Sequence, residues 1–451
     1  QNMIKNSTLL KPIFKNQAKS FSNGRDLIQP HLLNLKKSPT LAANELQAQS
    51  KNTRIVKFGF GQSPFPIHPS VIETKIQFSH DHSYSPSAGI SKLQDSIAEW
   101  LYHYKKIKYN PKNIIVGPGT KMMIYLSQLA FVGETVIPAP SWVTYKPQAS
   151  ILEKPCQIIQ TSIEDKWFLN QKQITDLQNR SSLNKLYIMN SPNNPSGQIL
   201  SEENIKGLSK AWSQKKNNIV LSDEIYSLYN YQGIKKFSSI AQHYYDNTIV
   251  TNGISKWGNA GGYRIGFAAF PEALSEFVPV LTNLASETYS SATTPSQHAA
   301  ISCFNNSINN LDMKQYIERC SLILKKTGEY VAKRIRDMGG ECLDPEGGFY
   351  VFGDFTKLKP LFSKLGINTG SQWVQTLDQN FGVKVLAGEN FCRDEAELNF
   401  RLSFVDFDSE LVLDKSENEE VNEGFILKYM DNIVYGMDQI EEFVNSAKRL
   451  Q

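Results

Sequence analysis

The stretch SKWGNAGGYRIGF, Ser255–Phe267, sets one lysine between a serine and a tryptophan, with a glycine-rich loop and a single arginine behind it. Gly258, Gly261 and Gly262 suit a tight turn between strands, which by itself would leave Lys256 and Arg264 solvated at its rim. The same tight turn can instead bring an amine and a guanidinium to one point. The residues to either side decide between these readings.

Immediately upstream, NTIVTNGIS is a short β-rich run, and similar runs recur before it. NIIVGPGTKMMIYLSQLAF (Asn113–Phe131) reads as strand, turn and helix. KLYIMNSPNNPSG (Lys185–Gly197) reads as strand and loop, followed by a helix around Glu202–Gln214, and NNIVLSDEIY (Asn217–Tyr226) opens on another strand. Strands alternating with helices from about residue 84 to 335 predict a large α/β domain with a mainly parallel sheet. Ligands of such sheets lie beyond the carboxyl ends of the strands, and Asn194, Asp223, Lys256 and Arg264 each follow a strand-like run. From residue 336 the pattern changes. GGFYVFGDF, FGVKVLAG and NFRLSFVDF read as strands of a smaller α+β domain, closed by the helical GMDQIEEFVNSAKRL. Residues 31–83 are expected to supply the amino-terminal part of that small domain and residues 336–451 the rest. The acidic ELVLDKSENEEVNEG, 410–424, reads as an exposed insertion loop without assigned function.

With 451 residues the chain can bury a large core. Its 40% hydrophobic and 20% charged residues are ordinary for a globular protein, and no run of about 18 apolar residues predicts a membrane span. A net charge of +4 with scattered cations argues against a nucleic-acid surface. Five cysteines, none in a C-x-x-C pair, point to reduced, buried thiols. His80 and His82 lack a clear third ligand, so no metal is expected. Residues 1–30 begin with a basic segment: Lys5, Lys11, Lys15, Lys19 and Arg25 come before the first acid, Asp26. That composition suits a mitochondrial transit segment, hence a matrix protein, and equally a basic tail on a cytoplasmic one.

Four motifs stand in register: N-N-P-x-G at Asn193–Gly197, S-D-E-x-Y at Ser222–Tyr226, S-K with R-x-G from Ser255 to Gly266, and R-L-S-F at Arg401–Phe404. In this order the chain resembles the fold type I pyridoxal-phosphate-dependent aminotransferases of class I/II, the aspartate-aminotransferase-like family, from about Arg54 to the C-terminus.

The resemblance implies pyridoxal 5'-phosphate as cofactor, transfer of an amino group between an L-amino acid and a 2-oxo acid, and a role for each residue. Lys256 would be the Schiff-base lysine and carry the α-proton. Asp223 would bind the pyridinium nitrogen. Asn194 and Tyr226 would hydrogen-bond the phenolic oxygen, and Trp142 would stack on the ring. Gly119, Thr120 and Lys121, where a strand meets a helix, would cradle the phosphate with backbone N–H groups. GPGTK is not a Walker loop, since its lysine precedes methionine. Ser255 and Arg264 would complete that shell, the arginine as a bidentate donor. Arg401 would clamp the substrate carboxylate, and Gly61 would close on it. Gln62-Ser63-Pro64 stands where many relatives have Glu-Pro-Asp. Tyr84 would reach the phosphate of a neighbouring subunit, which implies a homodimer with shared sites.

The substrate side chain stays open among aspartate, alanine, aromatic amino acids and kynurenine. A lyase or decarboxylase of the same fold and a non-catalytic subunit derived from an aminotransferase are the alternatives. The six residues Lys256, Asp223, Asn194, Tyr226, Arg264 and Arg401 argue against the second, because a scaffold has no use for all of them.

Overall fold

The computed structural model describes residues 24–40, 54–233 and 236–449. The chain falls into two compact units, residues 1–36 and 37–451. The described part of the first consists of two short 3-10 turns, Gly24–Leu27 and Pro30–Leu32. Lys5, Lys11, Lys15 and Lys19, on which the transit and tail readings rest, lie outside the described residues.

The strands of the second unit are β1 (Val56–Lys57), β2 (Ile114–Gly117), β3 (Glu134–Ala139), β4 (Cys156–Gln160), β5 (Lys185–Asn190), β6 (Asn218–Asp223), β7 (Thr248–Gly253), β8 (Gly266–Ala269), β9 (Tyr350–Asp354), β10 (Val383–Lys384), β11 (Leu386–Ala387) and β12 (Asn399–Ser403). Seven of them form one sheet in the order β2-β8-β7-β6-β5-β3-β4. All neighbours are parallel except β8, which runs antiparallel to β2 and β7. Helices cover both faces, so the central strands are buried throughout and read as unbroken apolar runs such as Leu186–Met189. Where Lys185 enters this core it is paired at 3.0 Å with Glu134 of β3.

Register places the carboxyl ends level. Asn190 lies opposite Asp223, and Asp223 opposite Thr251. The loops that leave these ends carry Asn194, Tyr226 and Lys256 to one edge of the sheet. The reversed β8 explains the opening stretch: Gly253 pairs with Gly266, so SKWGNAGGYR is the connection of a β7–β8 hairpin. Arg264 therefore returns to the edge that Lys256 occupies.

A second sheet, β11-β12-β9, is antiparallel, with Arg401 on its central strand opposite Phe352 and Leu386. The pair β1–β10 is parallel and joins Val56 to Val383. The helix Asp431–Lys448 closes over it so tightly that a Cβ on Gly436 would lie 2.5 Å from the Phe58 ring. Ser403 N–H donates to the Phe58 carbonyl at 2.8 Å. The amino-terminal segment 56–61 is thereby tied to the carboxyl-terminal region.

The acidic 410–424 stretch is mostly exposed, as its composition predicts, but it is not a loop throughout. It is largely helical, in Ser409–Lys415 and in Glu423–Tyr429, with Val412 and Val421 buried in the core. Asp408 and Asn422 cap the two helices by accepting from Leu411 N–H and Phe425 N–H, both at 3.1 Å. Two intervening charges pair outward, Glu417 with Arg319, and Glu419 with Lys428 at 3.1 Å. The buried valines, not the charges, tie the segment to the core. Among the described residues no helix is long and apolar enough to cross a membrane.

Candidate active site

A cleft of about 410 Å³ opens at the carboxyl edge of the large sheet. Its wall brings together Gly61, Thr120, Lys121, Trp142, Asn194, Asp223, Tyr226, Ser255, Lys256, Arg264 and Arg401. Two predicted residues stand apart. Gly119 and Tyr84 do not line the cleft, and Tyr84 is 90% exposed.

Lys256 donates from Nζ to the Gly61 carbonyl at 2.6 Å, with the rings of Tyr226 and Phe349 at 5.6 and 5.4 Å. Burial, then the charges of Arg401 and Arg264, hold the ammonium well below its usual range, at about 7; Asp223 opposes the shift. An amine so poised is substantially neutral at physiological pH, and hence a nucleophile and a proton acceptor.

Asp223 is buried at the end of β6. Its carboxylate accepts from the Tyr145 hydroxyl at 2.7 Å and from Thr251 at 3.4 Å. Burial pushes it up to about 6, against the lowering effect of Tyr145, the Ile225 N–H, Thr251 and Lys256. A cationic N–H donor placed against this carboxylate would restore its ionised form.

Opposite lies an anion cradle. The helix Thr120–Ala130 starts at the cleft, with first-turn N–H groups that have no partner within the helix. Lys121, Ser255 and Arg264 surround this start. Arg264, held in the left-handed region at φ 57°, donates to the carbonyls of Gly261 at 2.9 Å and Pro118 at 3.0 Å. Two glycines make the approach possible. Gly119 has φ +90° and its Cβ would lie 2.3 Å from the Arg264 guanidinium, while a Cβ on Gly266 would lie 2.3 Å from the Thr120 nitrogen.

Arg401 is 1% exposed. It donates to Asn194 Oδ1 at 3.1 Å and to the Gly59 carbonyl at 2.6 Å, and its Nε has no partner among the described residues. Among the described residues no carboxylate pairs with it. The Tyr350 ring lies 4.6 Å from the guanidinium and that of Phe391 5.1 Å. Burial lowers the guanidinium's affinity for its proton, the nearby tyrosines opposing. A buried cation offered only neutral acceptors is a receptor for an anion.

Sequence reasoning missed Tyr145 and Tyr350. Tyr145 holds Asp223, and its signal is its place three residues after Trp142 at the end of β3. The Tyr350 hydroxyl meets that of Tyr226 at 3.0 Å and the Gly61 carbonyl at 3.4 Å. A Cβ on Gly61 would lie 2.1 Å from that hydroxyl, which accounts for the glycine. Nothing local marks Tyr350 beyond its strand, since its partners are far along the chain. Ser38, Thr40, Phe60 and Gln62 also line the cleft, and the Thr40 hydroxyl is buried without a hydrogen-bond partner among the described residues.

Comparison with known proteins matches residues 53–412 to the family described as aminotransferase class I and II. An aspartate aminotransferase of Bacillus subtilis is 30% identical over 374 residues, 81% of this chain and 90% of that protein. An asparagine–oxo-acid transaminase of Streptococcus mutans is 28% identical, covering 83% and 93%. Among solved structures, an aspartate aminotransferase from Thermus thermophilus with maleate superposes with a TM-score of 0.76 at 20% identity, over 92% of this chain and 99% of that one.

Proposed function

The chain belongs to the class I and II aminotransferases, pyridoxal-phosphate enzymes that move an amino group between an amino acid and a 2-oxo acid, and on that premise we propose where it holds its cofactor and its substrate. The cleft fits the cofactor: a near-neutral amine, a buried carboxylate and an anion cradle share one wall. Lys256 is the residue that attaches the cofactor. Asp223, braced by Tyr145 and Thr251, holds the ring nitrogen. Asn194 and Tyr226 face the phenolic oxygen, and Trp142 covers a face of the ring. Gly119 shapes the cradle in which Thr120, Lys121, Ser255 and Arg264 take the phosphate. When bound, pyridoxal phosphate supplies an aldehyde that joins an amine and a ring that withdraws electrons from the α-carbon.

The substrate end rests on one observation, the buried Arg401 with an unpartnered Nε and only neutral acceptors. Its planar fork suits the α-carboxylate of an amino acid. Gly61, whose carbonyl accepts from Lys256, borders the same space. Lys256 Nζ, held near neutrality, then moves the α-proton. The neutral hydroxyls of Ser38 and Thr40 and the Gln62 amide suit a small polar side chain, and the names of the relatives support aspartate or asparagine. A screen of amino-acid donors against several 2-oxo acids tests this; preference for an aromatic donor would overturn it.

We further read residues 84–335 as a large domain and 31–83 with 336–451 as a small one; the separate sheets support this division from Val56 onward, whereas residues 31–36 belong to the other compact unit. A homodimer that lends Tyr84 to the partner's phosphate accords with its 90% exposure and its absence from its own cleft. Mitochondrial import rests on the basic composition of residues 1–30 and is tested by fusing them to a fluorescent reporter.

A further inference from the structure

Next to Asp223 in the chain lies a charge that the proposed chemistry does not use. Glu224 is 0% exposed, and its carboxylate is paired with Lys105, the last residue of the helix Ser91–Lys105, itself 1% exposed. The other carboxylate oxygen accepts from Ser222 at 2.9 Å and from Ser239 at 2.5 Å. Ser239 N–H donates at 2.9 Å to the side chain of Gln242, which donates at 2.9 Å to the Lys105 carbonyl. The contacts close a ring through the end of the helix, the end of β6 and the turn 239–242. Asn252 of β7 adds a bond to the Glu224 carbonyl at 2.7 Å.

Taking two charges out of water is costly, and well-packed apolar residues in their place are often as stable or more so. Burial holds the Lys105 ammonium well below its usual range despite the partner. Stability alone is a poor reason for such a pair. Its place gives a better one. Adjacent residues at a strand end point to opposite faces, so anchoring Glu224 behind the sheet fixes the backbone from which Asp223 projects into the cleft.

We propose that Lys105 and Glu224 are positioning residues that set the Asp223 carboxylate against the cofactor's ring nitrogen, an inference that rests on the role of Asp223 proposed above.

The test compares the natural protein with the double variant Lys105→Met/Glu224→Gln, which removes both charges and leaves the serines an acceptor. Thermal melting is read first. The second readout is the ratio of dissociation constants for pyridoxal phosphate and its 1-deaza analogue, in which carbon replaces the ring nitrogen. The double variant is expected to melt near or above the natural protein, yet to lose about tenfold or more of the preference for the nitrogen-bearing cofactor. Amino-transfer kcat should fall with it while KM changes little. If the double variant does not fold, Ser239→Ala opens the ring with both charges kept, and about threefold of the preference should go. Full preference in a folded variant overturns the inference. No preference in the natural protein overturns instead the assignment of Asp223 to the ring nitrogen.

Discussion

Asp223 and Arg401 are both buried charges on one cleft wall, and the protein keeps them in opposite ways. Asp223, at the edge of the large sheet, is already served by Tyr145, Thr251 and a backbone N–H. Arg401, on the small antiparallel sheet, has two neutral oxygens and an idle Nε. The large-sheet edge is built to hold something permanently, and the small-sheet side is left incomplete until an anion arrives. A resident cofactor and a transient substrate ask for that division.

The strongest way to break this comparison is Lys256→Ala. On the holding side, loss of the amine should abolish the yellow colour of attached cofactor and cut amino transfer by about ten-thousand-fold or more. Absorbance spectra and borohydride reduction with peptide mapping check it; a label on another lysine would misplace the holding side altogether.

Next comes Asp223→Asn, which keeps shape and loses charge. A carboxylate worth about two pKa units to a ring nitrogen is about 2.7 kcal/mol, so proton abstraction should slow about 100-fold while cofactor still attaches. Asp223→Glu should retain more. Single-turnover kinetics separate the two.

On the receiving side, Arg401→Ala should cost about ten- to a hundredfold with amino acids, from the loss of a charge-assisted pair of about 1.5–3 kcal/mol, and far less with amines lacking a carboxylate. Equal losses with both would remove the distinction between the two sides.

A titration sharpens the coupling between them. In the cofactor-free protein, labelling of Lys256 by an amine-selective reagent should rise with pH through a midpoint of about 7 and level off only above it. The Arg401 charge disfavours the ammonium, so Arg401→Ala should move that midpoint upward. An unmoved midpoint would mean that the two regions do not sense each other. The smallest effect is expected for Tyr350→Phe, about three- to tenfold in kcat/KM, since it removes one hydroxyl between Tyr226 and Gly61.

The strand-end residues of the large sheet were legible because parallel strands buried on both faces write themselves as apolar runs, and the residue after each run must lie on one edge. Lys256 and Arg264 belong to one hairpin connection, so their proximity is local. Arg401 was legible through its motif, although its strand alone says nothing of the cleft. Tyr145 and Tyr350 escaped because a tyrosine in a strand or after one is ordinary until its hydroxyl has a partner. Tyr350 meets Gly61 across 289 positions of chain. The acidic 410–424 segment misled as to its local structure because charge marks what faces water, whereas the buried Val412 and Val421 tie it to the core and its two ends form helices.

By itself, then, the sequence determined the alternation of strand and helix, the edge on which chemistry collects, and the charged groups that collect there, because each depends on neighbours close in the chain. Only tertiary structure decided how those groups are charged and which of them remain unsatisfied. Burial, and the approach of Arg401 and Arg264 from separate elements, bring Lys256 to about 7. The absence of any carboxylate beside Arg401 among the described residues is a property of every element packed around it, and no single stretch of sequence can state it.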